Sequence, residues 1–279
     1  MVNYKKVAKE AGGKVAVSNA EEKRKKIQKR IKDFRLFDDE FMTKIFEDDI
    51  ECTELLLHII MDKPDLKVKK TQVQYVIKNL QGRSLTLDIH ATDNEQREYD
   101  IEIQRADSGA KPKRARYHSS LLDANVLLTS DETEALPETY VIFITENDVL
   151  GKNKPIYHIN RYIEETGEVF GDSSHILYVN GAYRDETPIG LLMRDFSCMS
   201  ASDMHYKKLA DRVRYFKENE EGVQTMSGIV AELIDEEKRE MTVRLLKNGK
   251  LSKKEIAEIS ELDIEVVETL EKEQKSVIF

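Results

Sequence analysis

The chain has 279 residues, 40% hydrophobic and 35% charged, with no Trp. That is enough apolar content for one sizeable core with appendages. No run approaches the ~20 apolar residues of a membrane helix, and the first residues lack the apolar segment of a secretory leader. Two Cys (Cys52 and Cys198) without zinc or redox spacing read as buried, reduced thiols in a soluble, cytoplasmic protein. The net charge of −9 excludes a uniformly basic nucleic-acid coat, but residues 1–35 hold twelve Lys or Arg against four acids, a surplus of +8.

Residues 1–35 therefore read as a basic, partly disordered arm, either a phosphate-contacting segment or a solvated tail. Within it Gly12, Gly13 and Lys14 lack the first Gly and the Ser/Thr of a P-loop, so no nucleotide cofactor is expected. Glu21–Arg35 has helical composition but few apolar anchors. The compact domain begins near Leu36. Asp39–Met61 shows helical spacing with a break at Asp48 and Asp49, and Pro64 and Asp65 end it. Val73–Leu80 reads as a strand that turns through Gln81, Gly82 and Arg83 into the next.

Ser84–Gln104 alternates apolar and polar residues in two runs around the turn Thr92–Glu95, the signature of a hairpin. Leu85, Leu87 and Ile89 point one way, Thr86, Asp88 and His90 the other. Tyr99, Ile101 and Ile103 oppose Asp100, Glu102 and Gln104 in the same manner. Paired strands would bring Asp88 and Glu102 onto one face. At ~4 Å their repulsion costs roughly 4 kcal/mol for an effective dielectric near 20. A shared proton, a basic partner or a divalent cation would offset it, and hard oxygen ligands favour Mg²⁺ or Mn²⁺. The plainer alternative is a solvent-facing sheet surface. His90 shares the face and reads as a hydrogen-bonding surface group.

A helix over about Lys113–Ser130 follows, opened by Gly109 and Pro112. Its start is basic: Arg105, Lys111, Lys113, Arg114 and Arg116 stand against Asp107 alone. Thr139–Thr145 is a continuous apolar run, the mark of a strand buried on both faces. Then come a strand at His175–Val179, a short helix at Pro188–Phe196, a basic-faced helix at Asp203–Asn219 and a long amphipathic helix at Gly222–Lys247. In the tail, Ser252 and Glu255 form a capping box and Asp263 can cap a second helix. Ile256, Ile259, Leu262, Val266, Val267 and Leu270 would join the two. Residues 251–273 carry three Lys and eight acids, so this helix-turn-helix-like pair reads as a packing or self-association module rather than a DNA reader.

The phrases FDDEFMTKIFEDD, VQYVIKNLQGRSLTLDIHATD, YDIEIQRAD, KRARYHSSLLDANVL, LPETYVIFITENDVLG, YVNGAYRD and GLLMRDFSC resemble the PD-(D/E)XK nuclease family transposases, relatives of the recombination-promoting nucleases. The resemblance implies an α/β fold with a restriction-endonuclease-like core: a mixed central sheet flanked by helices, with a helical C-terminal extension. The nuclease-like domain would span 36–247 and the small tail 251–279. The implied activity is metal-dependent DNA endonuclease, in mobile-element recombination or defence against foreign DNA. The alternative is a catalytically weak or inactive nuclease-fold module for nucleic-acid binding or assembly.

By the same resemblance Asp88, Glu102 and Gln104 are the catalytic residues. Asp88, Glu102 and the backbone carbonyl of Ile103 would ligate Mg²⁺ (or Mn²⁺). Gln104 stands where the wider superfamily carries Lys, and Leu87 where it carries Pro. Gln offers a donor and an acceptor but no charge. An acid from the first helix often completes such sites. Asp38, Asp39 and Glu40 are available and Asp39 aligns best, with helix N-cap as its alternative role. Arg116 and Tyr117 match the family's Arg-Tyr on the following helix. Arg105, Lys113, Arg114, Arg116 and Tyr117 form the expected DNA contact, although Tyr117 reads equally as core. Asp100 has no assigned role. The scattered His residues give no zinc motif. Double-strand cleavage would call for a homodimer.

Overall fold

The structure, a computed structural model, describes residues 21–79, 82–127 and 130–276. The expected disorder of residues 1–20 and part of the Gln81 turn lie outside them. The chain divides into two units, residues 33–215 and residues 1–32 with 216–279.

α1 (residues 21–33) opens the described chain. α2 (Asp39–Phe46) and α3 (Ile50–Met61) are separate helices, broken where expected. Asp48 is left-handed at φ 54°, and Asp49 caps α3 by accepting from the Cys52 N–H at 2.8 Å.

Next come β1 (Val68–Ile77), β2 (Leu85–Asp93), β3 (Glu98–Gln104), the crossover helix α4 (Pro112–Val126) and β4 (Thr139–Thr145). β5 (Ile156–Ile159) and β6 (Ser174–Asn180) complete one six-stranded sheet in the order β1-β2-β3-β4-β6-β5. β2 runs antiparallel to both of its neighbours, β1 and β3, and β3, β4 and β6 run parallel. A parallel β3–β4 pair needs a long crossover, which α4 supplies. Every residue of β4 is buried, as its unbroken apolar run requires.

Beneath α4, Ala115 and Leu122 pack with Leu85, Leu87, Val141, Phe143 and Tyr178. α2 and α3 pack on β1, and α3 meets α5 (Pro188–Ser197). The buried Asp195 carboxylate accepts from the N–H groups of His205 and Tyr206 at 2.7 and 2.8 Å, fixing the entry to α6 (Lys207–Glu218).

Several sequence expectations need correction. The first strand begins at Val68 and stops at Ile77, and α4 ends at Val126. β5 was not expected, because four residues bounded by irregular chain carry too little periodicity to register. Cys52 is buried, with its thiol pushed up to about 12 by burial and by Asp49, but Cys198 follows α5 and is partly exposed.

In the second unit, α7 (Glu220–Asn248) packs against α8 (Lys253–Ser260) and α9 (Ile264–Ser276). The Ser252–Glu255 capping box is present. Ile256, Val267 and Leu270 are buried between helices, whereas Ile259 is 50% exposed, on the outer side of α8. α1 belongs to this unit, and Arg30 forms a two-pronged ion pair with Glu237 at 2.6 and 2.9 Å.

Candidate active site

The site begins where regular pairing stops. The β2–β3 ladder runs from Thr92–Glu98 through His90–Asp100 to Ile89–Ile101 and ends there. One step further the Asp88 N–H donates to Glu102 Oε1 at 3.1 Å, and the Ile103 N–H donates to Asp88 Oδ2 at 2.8 Å. Side-chain oxygens have replaced ladder carbonyls.

The regular alternation expected along β2 also breaks at this point. Leu87 pairs with Tyr75 and packs under α4, yet the His90 ring, three residues on, stacks on the same Tyr75 at 4.6 Å. Gln74, opposite Asp88 on β1, is left-handed at φ 49°. An irregularity of this kind re-aims a side chain at the cost of local backbone strain. His90 is accordingly no surface group: it is buried and its Nε2 lies 2.7 Å from Glu98.

The Gln104 amide nitrogen reaches both acids, 3.5 Å from Asp88 Oδ2 and 3.4 Å from Glu102 Oε2. Gly109, in the turn before α4, leaves the space its carbonyl oxygen occupies. From α4, one turn apart, come Arg114 and His118. Arg114 Nη2 donates to Glu102 Oε2 at 2.8 Å, and its Nε donates to His118 Nε2 at 3.3 Å. With Nε2 accepting, the proton sits on His118 Nδ1, which donates to Asp100 Oδ2 at 2.7 Å. Asp100 and His118 are fully buried. Both were passed over in the sequence. The signal that could have found them is a Arg114/His118 pair at i, i+4 on a helix crossing over an acidic strand.

Burial and like charge set the electrostatics. Asp88 is raised to about 7 by burial, then by the charges of Glu102 and, less strongly, Asp39. Glu102 is raised to about 7 by burial and by Asp100. Asp100 is pushed well above the usual carboxylate range by burial and by Asp88. Burial lowers the His118 imidazole, disfavouring its charged form.

Asp100, Glu102 and His118 each bring a ligand atom within 4.8 Å of the others. Both ring nitrogens of His118 are already engaged, however, which makes it a brace rather than an open ligand. A buried polar demand remains all the same: Asp100 Oδ1 has no hydrogen-bond partner among the described residues. Carboxylate oxygens from Asp88 and Glu102, with Arg114 the one Lys or Arg paired with either among the described residues, fit a hard divalent cation such as Mg²⁺ or Mn²⁺.

The other expected residues fall in several places. Asp39 lies exposed in the first turn of α2. The N-cap position belongs to Asp38, which corrects the cap reading of Asp39, and Asp38 caps nothing with its side chain. It accepts instead from the Arg35 N–H and from Arg105, both at 2.7 Å. Arg105 also approaches Glu146 at 3.5 Å. Lys113 and Arg116 are exposed. Tyr117 packs against the core under α4, with its hydroxyl donating to the Arg83 carbonyl and accepting from Asn79 at 3.2 Å.

Residues 35–183 match the family described as PD-(D/E)XK nuclease family transposase, a span from α2 to just past β6 that holds every residue of this site. No curated protein and no solved structure matches the chain. No described helix is long and apolar enough to cross a membrane.

Proposed function

The chain belongs to the PD-(D/E)XK nuclease family transposases, and from that premise we propose that it is a metal-dependent DNA endonuclease acting in mobile-element recombination or in defence against foreign DNA. The observation that carries this reading is the meeting of Asp88, Glu102 and Gln104 where the β2–β3 ladder ends, with one amide nitrogen in reach of both acids. The word transposase is a family description; these side chains suit strand cleavage.

Asp88 and Glu102, with the Ile103 carbonyl, would hold Mg²⁺ or Mn²⁺, and Asp39, whose charge acts on Asp88, would add an outer carboxylate. Such a cation supplies charge neutralisation at the phosphate and a more acidic water. The protein's own part is positional. Gln104 orients the attacking water through its amide. Lys113 and Arg116, exposed on the first turns of α4, hold the DNA backbone, with sequence-independent and salt-dependent affinity. The basic arm over residues 1–35 adds phosphate contacts, and the acidic tail over 251–279 serves packing or self-association. A homodimer would allow both strands to be cut.

A plasmid-nicking assay with Mg²⁺ tests the proposal. Loss of nicking in Asp88→Ala and Glu102→Ala is expected, and cleavage that survives Glu102→Ala overturns it.

A second reading is a nuclease fold kept for DNA binding or assembly. The Arg114–Glu102 ion pair favours it, because a ligand carboxylate is already neutralised. Tight DNA binding without Mg²⁺ and without cleavage would select that reading.

A further inference from the structure

The site has an imbalance of charge. Asp88, Asp100 and Glu102 converge on it, Gln104 carries no charge, and both ring nitrogens of His118 are already engaged, one with Asp100 and one with Arg114. Among the described residues Arg114 is the one Lys or Arg in ion-pair contact with any of these acids. Phosphodiester cleavage builds further negative charge on the phosphate, so a fixed cation aimed at it lowers the barrier.

Arg114 is built for that task in three respects. Its side chain is 39% exposed while its partner Glu102 is fully buried, so the guanidinium spans from the acids to the open side. Two of its five donors are spent, on Glu102 and His118, which leaves the remaining N–H groups, Nη1 above all, for an incoming anion. And its plane is set by a fully buried chain: Asp100 holds His118, and His118 holds Arg114 Nε. A guanidinium that only neutralised Glu102 would not need this brace.

We infer that Arg114 contacts the scissile phosphate and supplies the positive charge that Gln104 lacks, with His118 and Asp100 aligning it. The inference rests on the endonuclease reading and gives Arg114 a role beyond general backbone attraction. It requires the guanidinium to face substrate while one edge stays on Glu102.

The experiment compares wild type with Arg114→Gln, which keeps amide donors near Glu102, and Arg114→Lys, which keeps charge. Thermal melting first verifies that each variant folds. Nicking is then measured at saturating Mg²⁺, and affinity for a short duplex is measured in Ca²⁺ as a function of salt. The expected result is a nicking rate about 100-fold lower in Arg114→Gln, with the salt slope of binding reduced by about one, and partial recovery of both in Arg114→Lys. An Arg114→Gln rate within about threefold of wild type, with tighter Mg²⁺ binding, would mean that Arg114 is only a counter-ion for Glu102, and the inference falls. If wild type itself does not nick, the endonuclease reading has failed separately. The duplex salt slope then decides alone: unchanged in Arg114→Gln overturns the phosphate contact, and lower by about one supports it.

Discussion

The backbone N–H of Asp88 donates to Oε1 of Glu102 at 3.1 Å, just past the last ladder pair of β2 and β3. Each acid thus braces the strand that carries the other, since Asp88 in turn accepts from the Ile103 N–H. The arrangement holds two mutually repelling carboxylates in place by backbone N–H donors, the preorganisation that the proposed metal site would need.

The repulsion has a measurable cost. Asp88→Asn keeps an oxygen acceptor for the Ile103 N–H and removes one partly buried charge. Without metal at pH 8, the variant should be more stable than wild type by about 1–3 kcal/mol. It should also lose the stabilisation that Mg²⁺ gives wild type, together with nicking. Urea unfolding with EDTA and with Mg²⁺ checks both. Equal metal stabilisation in the two proteins would remove Asp88 from the metal site.

The pH dependence follows from the same pair. Asp88 and Glu102 rise from ordinary values of 3.8 and 4.5 to about 7 in the folded protein. Between about pH 4 and 7 the folded state therefore binds more protons than the unfolded state, so metal-free stability falls as pH rises through that window. Protons and a divalent cation compete for the same oxygens, so stabilisation by Mg²⁺ grows over the same interval and levels off above about pH 7. Melting of wild type against Asp88→Asn, with EDTA and with Mg²⁺, isolates the effect from other titrating groups. A wild-type advantage that grows with pH under EDTA contradicts the sign.

Two glycines separate function from folding. A Cβ at Gly109 would collide with the end of the Gln104 side chain, which can swing aside, whereas one at Gly181 would collide with the Thr145 carbonyl and the Phe37 ring. Gly109→Ala should leave stability within about 1 kcal/mol and slow nicking about tenfold by displacing the Gln104 amide. Gly181→Ala should destabilise by about 1–3 kcal/mol. Denaturant titration beside a nicking rate tests the contrast, and equal stability losses would refute it.

The Asp100–His118 contact is fully buried. His118→Ala leaves Asp100 without its remaining partner and opens a cavity, at a cost of about 2–4 kcal/mol. The cycle with Asp100→Asn should show strong coupling, since the residues touch. Additive losses would show that the pair does not act as a unit.

Much of the scaffold was legible in the sequence because it depends on neighbours in the chain. The apolar run of β4 required burial on both faces. Period-two alternation marked β2 and β3, Asp49 marked the start of α3, and Ser252 with Glu255 marked α8. Asp88, Glu102 and Gln104 could be named because a hairpin register follows from a turn and an alternation. Family resemblance in residues spread across the span gave those three their roles.

The remainder depends on groups distant in sequence. No periodicity reveals that Gln74 turns left-handed beside Asp88, or that Leu87 and His90, three residues apart on β2, both meet Tyr75. Likewise Arg105 and Arg114 both read as basic surface, but one pairs with Asp38 on α2's cap and the other reaches Glu102. Local pattern determines which residues can share a strand face or a helix turn. Which cation meets which acid, and how much water is excluded around them, is decided only when α4 crosses over the sheet. That crossing buries Asp100 and His118, and it turns an ordinary alternation of acids into a charged site.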